Sequence, residues 1–211
     1  MARIVSIIAW LVVAFVVGAA SYLAQGPTVF DVEATRFLQT APPGGVAAVG
    51  PIAEFVTALV WEPYLYGVLG VVAVLTLMLG GIRAVLAVPL AYWAAEATAS
   101  LLRTLVFVPR PSADLVLVAG ERASSGLPST FGLIFGAVFG VLLWAGRRGG
   151  GAFGGVVRVL AIIVIAIGCS ARIVLGGHWP SQMLASAALG VALAGVIVSL
   201  TALIPIGRGG R

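Results

Sequence analysis

GCSARIVLGGHWPSQ, residues 168–182, leaves one long apolar run and enters another. Within it Arg172 stands six positions before His178, the only histidine of the 211 residues, and Trp179-Pro180-Ser181 follows at once. A guanidinium and an imidazole at the end of an apolar segment serve no need of solubility, so the stretch marks both the end of a membrane helix and a place where polar chemistry is wanted. Whether that holds depends on what flanks it.

The chain is 61% hydrophobic and 9% charged, with a mean hydropathy of +1.17. A soluble domain is about 45–50% apolar and about 25% charged, so this composition is that of an integral membrane protein. All 12 basic residues are arginine, and they are scattered rather than clustered on a soluble module, which argues against nucleic acid as a partner. The one cysteine, Cys169, lies in an apolar run; it allows no intramolecular disulfide or cysteine metal cluster and reads as a small packing residue. Without tails or internal repeats, the chain reads as a single transmembrane domain over residues 1–211.

A membrane helix needs about 20 apolar residues. Residues 4–24 supply the first; a cleaved signal peptide is the competing reading, disfavoured by the length of the uninterrupted run. Residues 25–51 turn polar, with a short interfacial helix expected over 32–40. A second apolar segment, 52–79, carries Glu54 and Glu62, and Gly80-Gly81-Ile82-Arg83 reads as a tight turn. A third helix over 84–108 contains Pro89, Glu96 and Arg103, and a second polar loop, 109–127, contains Arg110, Asp114, Glu121 and Arg122. A fourth helix starts at Pro128-Ser129, residue types suited to a helix N-terminus, and ends before Arg147-Arg148. Its Gly132, Gly136 and Gly140 give one smooth face for close helix packing. After a loop at Gly149–Gly151, a fifth helix covers 156–177 and a sixth runs from Pro180 to near Ile204. The expected fold is an all-α bundle of about six transmembrane helices.

Six spans put both termini on one side, together with Arg3, Arg83, Arg147, Arg148, Arg158, Arg208 and Arg211; the positive-inside rule makes that side cytoplasmic. Arg103, Arg110, Ser129, Arg172, His178 and Gln182 then converge on the outer layer of a multi-pass cell-membrane protein. Arginines at one depth match phosphate oxygens bidentately, and helix-start amides at Ser129 and Thr130 add donors. Next to a bilayer the natural ligand is a lipid phosphate. Interfacial snorkelling is the alternative for any single arginine, but three that run against the positive-inside bias and flank the lone histidine favour a phosphate site.

The spacing Arg103-TLVFVP-Arg110-Pro111, then Pro128-Ser129-Thr130-Phe131, then Arg172-IVLGG-His178-WPS-Gln182 resembles the type 2 phosphatidic acid phosphatase family, the lipid phosphate phosphatases. That family's motifs are a basic residue, six residues and Arg-Pro; Pro-Ser-Gly-His; and Arg, five residues, His, three residues, Asp. The resemblance covers helices three to six. It implies an outward-facing, metal-independent site without a cofactor. It implies His178 as the nucleophile that forms a phosphohistidine, and Arg103, Arg110, Arg172 and Ser129 as phosphate ligands. Two positions depart from the pattern: Phe131, with Thr130 before it, stands where the family has an acid histidine, and Gln182 where it has an orienting aspartate.

A general acid contributes about 10²–10⁴-fold, and an amide in place of the carboxylate behind a catalytic histidine costs about 10⁴ in kcat in serine proteases. An alkoxide leaving group needs that proton; a phosphate leaving group does not, so a polyprenyl or other lipid diphosphate is the favoured substrate. Glu96, seven residues before Arg103 on the same helix face, is the candidate replacement acid, with a structural ion pair as its bland reading; Glu54 and Glu62 are looser candidates. Two functions stand side by side: a lipid phosphate or diphosphate phosphatase or phosphotransferase, and an inactive relative that binds lipid phosphates for transport or regulation. A channel or carrier is disfavoured because no span is rich in charge, and a haem or quinone site because the lone histidine has no paired ligand.

Overall fold

The computed structural model describes residues 1–120, 123–147 and 151–205, and within these the chain is helical without strands. The expectations attached to Glu121, Arg122, Arg148, Gly149, Gly150, Arg208 and Arg211 lie outside the described residues. The helices are α1 (Ala2–Ala24), α2 (Asp31–Thr40), α3 (Gly45–Ala58), α4 (Tyr64–Val85), α5 (Ala87–Leu105), α6 (Thr130–Ala145), α7 (Gly151–Val174) and α8 (Pro180–Thr201). Four of them, α1, α4, α7 and α8, are long and apolar enough to cross a membrane. Apolar side chains such as Ile8, Val12, Phe15, Val71, Leu160 and Ile163 stay exposed along the bundle, as a lipid-facing surface requires.

Several sequence expectations shift: α3 starts at Gly45, inside the 25–51 segment expected as a loop, and α7 covers Gly151–Val174 rather than 156–177. The apolar segment 52–79 is not one helix. It is split by the turn at 59–63, where Pro63 has no N–H to continue a helical hydrogen-bond ladder. At the turn expected over Gly80–Arg83 the helical backbone is interrupted, within Tyr64–Val85, by Gly81 at φ 70°.

The centre of the bundle is α6, which packs against α8, α5, α7 and α4. All but two of its residues are buried. Its glycine stripe does what the spacing suggests. A Cβ at Gly136 would lie 3.0 Å from Ala187 Cα, one at Gly140 3.2 Å from Val191 Cα, and one at Gly190 on α8 2.7 Å from Ala137 N. Backbone therefore meets backbone along the α6–α8 seam. Trp144 locks its far end by donating from Nε1 to the Val191 carbonyl at 2.9 Å. The other face of α8 carries α1.

The short α2 is amphipathic in the reverse of the usual sense. Asp31, Thr35 and Gln39, at four-residue spacing, are buried against the bundle, while Phe30 and Phe37 are exposed. Gln39 Nε2 donates to the carbonyls of Leu117 (2.8 Å) and Val174 (3.0 Å), and Arg36 donates to the Leu115 carbonyl. The helix thus ties the loop after α5 to the end of α7.

Candidate active site

Five residues, 175–179, connect α7 to α8. A Schellman turn ends α7: Gly177 N–H donates to the Arg172 carbonyl (3.0 Å) and Gly176 N–H to that of Ile173 (2.9 Å). Gly176 sits at φ 64°, the left-handed region where glycine carries no penalty. Gly177 is required by close approach, since a Cβ there would lie 2.9 Å from the Arg172 guanidinium carbon. The double glycine before His178 therefore turns the chain and lets Arg172 fold back beside the imidazole.

His178 is 2% exposed. Its Nδ1 lies 2.8 Å from the Gly126 carbonyl oxygen and its Nε2 lies 3.0 Å from Arg110 Nη1. A carbonyl only accepts and a guanidinium only donates, so the partners fix the tautomer: Nδ1 carries the proton and Nε2 presents its lone pair. Burial pushes the imidazole well below its ordinary 6.5, and the charges of Arg110, Arg172 and, least, Arg103 push the same way against the Gly126 hydrogen bond. The ring is a neutral base with one nucleophilic nitrogen.

Arg110 is braced by the carbonyls of Ser124 and Gly177, each at 2.8 Å. It shares with Arg172 a polar cavity of about 230 Å³, completed by Glu54 and Thr57 of α3 and by the backbone near Gly120 and Gly176. Arg103 is exposed in the last turn of α5 and lies outside that cavity. Glu96, half-buried on α5, does not line it either; the carboxyl that does is Glu54. Ser129 is wholly buried and is the N-cap of α6, its hydroxyl accepting from Gly132 N–H at 3.2 Å. Its own amide donates to Ser186 Oγ at 2.8 Å, so that amide is already committed within the bundle. Thr130 is buried in the first turn of the same helix.

Phe131 stacks on Phe135 at 4.4 Å in the core. Gln182 does not meet the histidine. Its Oε1 accepts from Trp179 N–H at 3.1 Å and its Nε2 donates to the Pro109 carbonyl at 2.8 Å. It fills the space beside Gly126, where a Cβ would fall 2.7 Å from Gln182 Cδ. The Nδ1 proton goes to a backbone carbonyl instead, a partner that no side-chain pattern could reveal. Among the described residues no three His, Cys, Asp or Glu side chains gather as metal ligands.

Asp31 was not singled out from the sequence. Its buried carboxyl accepts from the Ser181 amide (2.8 Å), the Ser181 hydroxyl (2.7 Å), the Thr28 amide (2.7 Å) and the Thr28 hydroxyl (2.8 Å). It therefore anchors the first turn of α8, three residues after His178, at the helix end that favours negative charge. The signal available was the polar stripe Asp31, Thr35, Gln39 on one face of a helix in a membrane protein.

The sequence profile of the PAP2 superfamily matches residues 84–204, more than half of the chain, and the chain belongs to that family of membrane phosphatases. The whole fold is similar to the "crystal structure of the first transmembrane PAP2 type phosphatidylglycerolphosphate phosphatase from Bacillus subtilis", with a TM-score of 0.69 and 13% identity over 98% of each chain. No curated protein matches the sequence.

Proposed function

We propose that this protein is a lipid phosphate or diphosphate phosphatase, or phosphotransferase, in which His178 Nε2 attacks phosphorus. The observation that carries the reading is the buried imidazole held as the Nδ1–H tautomer, with Nε2 facing an arginine that lines a polar cavity with a second arginine. Arg110 exchanges its bond to Nε2 for a phosphate oxygen, Arg172 takes a second oxygen, and Nε2 forms the N–P bond as the leaving oxygen departs. Water then hydrolyses the phosphohistidine. Arg103, Ser129 and Thr130 belong to the same layer as outer contributors to the positive field. The Gly126 carbonyl orients the imidazole where the family pattern has an aspartate, and its weaker support for an imidazolium, with Phe131 in place of an acid, favours a leaving group that needs no proton. A lipid diphosphate such as a polyprenyl diphosphate fits that requirement, and Glu54, rather than Glu96, is the carboxyl positioned beside the arginines to assist.

An apolar cavity of about 570 Å³ between α1, α5 and α8 supports a lipid substrate. It is lined by Leu127 and Pro128, which follow the Gly126 carbonyl that holds His178, and by Ser186, which bonds the Ser129 amide. Tail and phosphate thus have adjoining spaces. The proposed topology has six spans, α5 and α6 joining the four longest helices. Arg3, Arg83, Arg147 and Arg158 belong to the end away from His178, which the positive-inside rule makes cytoplasmic and which leaves His178 outward in the cell membrane.

The second reading, a binder without turnover, draws on the Arg110–Nε2 contact, which engages the lone pair that would attack phosphorus. Phosphate release by purified protein from phosphatidic acid and from a polyprenyl diphosphate separates the two. The enzyme reading expects faster release from the diphosphate and loss of release, by roughly 10³-fold or more, in His178→Ala. Release that survives His178→Ala removes His178 as the nucleophile, and release that begins only in the double variant Phe131→His with Gln182→Asp favours the binder.

A further inference from the structure

At the end of the bundle remote from His178, Trp10, Trp144, Arg147, Arg158 and Ile162 line a separate cleft of about 130 Å³ between α1, α6 and α7. Arg147 lies with its guanidinium carbon 5.0 Å from the centre of the Trp144 ring and donates from Nη1 to Ser6 Oγ on α1 at 3.0 Å. Arg158 on α7 is half-buried, with its stem against Gly146, and makes no hydrogen bond or ion pair among the described residues. No Asp or Glu occurs in residues 1–30, 63–95 or 122–211, the segments from which this end is built. Two guanidinium groups therefore share one cleft, one of them half-buried, and no Asp or Glu among the described residues lines it.

We propose that this cleft is a binding site for the phosphate of an anionic phospholipid in the leaflet opposite the His178 layer. Guanidinium forks suit a phosphodiester, the half-buried Trp10 suits the headgroup level of a membrane, and basic clefts between transmembrane helices take anionic headgroups. The exposed Val159 and Ile163, which follow Arg158 and Ile162 along α7, give the acyl chains an apolar wall. The bound lipid bridges α1, α6 and α7 at the level where Arg147 already reaches Ser6. This site is independent of the phosphatase reading, because none of its residues touches the His178 layer.

Native mass spectrometry of the full-length protein in detergent, titrated with phosphatidylglycerol or phosphatidylcholine, tests it. Phosphatidylglycerol should be retained preferentially. Arg147→Gln with Arg158→Gln should weaken that retention by roughly thirty-fold, the effect of two charges at a membrane surface. Arg158→Gln alone, which removes no hydrogen bond among the described residues, should weaken it by about five-fold and serves if the double variant folds poorly. Arg83→Gln, the same charge change elsewhere on that end, should leave it unchanged. Equal retention of the two lipids, an equal loss in Arg83→Gln, or competition by soluble glycerol phosphate at the lipid's own concentration would each overturn the assignment.

Discussion

His178 shows how burial and partners replace sequence pattern in setting chemistry. A neutral imidazole is what nucleophilic attack needs, and the desolvation and neighbouring arginines that lower its pKa keep it neutral through the physiological range. The acid limb of kcat/KM should therefore fall below 6.5, the ordinary value, and a limb at or above it in a pH–rate profile would contradict the buried geometry. Stability follows the same sign. A base whose folded pKa is depressed contributes in full above 6.5 and loses that contribution as the pH falls below it, because the unfolded chain takes up the proton first. At this scale the sequence was partly legible. Arg110, Arg172 and His178 share one locus because motif spacing on helix ends survives folding. The orienting group escaped because Gly126 acts through its backbone carbonyl, and Gln182, the residue at the motif position, is engaged with Trp179 and Pro109 instead.

Helices and their contacts account for why that geometry is held. Asp31 joins α2 to the first turn of α8 with four accepted hydrogen bonds. Removing its carboxyl leaves the buried Ser181 amide and hydroxyl unsatisfied, so Asp31→Ala should cost about 3 kcal/mol, read as a lowered thermal midpoint in detergent, and should lower kcat more than it raises KM. The glycines of α6 and α4 separate packing from propensity. Gly136→Ala places a Cβ into the Ala187 backbone and should destabilise by at least 1–3 kcal/mol. At Gly67 on α4 a Cβ meets nothing within 4 Å, so Gly67→Ala should be neutral or stabilise by up to about 1 kcal/mol. Equal shifts in the two variants would mean that the α6–α8 seam is not close-packed. Apolar runs and the Gly132–Gly136–Gly140 period announce most of these helices. Hydropathy alone reads through Glu62-Pro63, since averaging over a window of about 19 residues hides a single break, and so merges α3 with α4.

For the molecule as a whole, the apolar cavity beside α1 and the polar cavity of Arg110 and Arg172 adjoin opposite partners of one buried histidine, Gly126 and Arg110. Under the proposed function the two cavities take the tail and the headgroup of a lipid phosphate, and that can be tested by blocking one compartment alone. Ala185 on α8 lines the apolar cavity, and a Cβ at Gly18 of α1 would lie 3.6 Å from its Cβ. In Ala185→Phe the ring would displace roughly four methylenes of a bound chain, at about 0.8 kcal/mol each. The kcat/KM for a polyprenyl diphosphate should therefore fall on the order of 100-fold. A soluble diphosphate carrying a four-carbon chain engages only the arginine side, so its turnover should stay within about two-fold. If both substrates lost activity in parallel, the substitution would be acting through α8 and His178 rather than through the tail. If neither did, the lipid would reach the histidine by another path and the cavity beside α1 would belong to the surrounding bilayer.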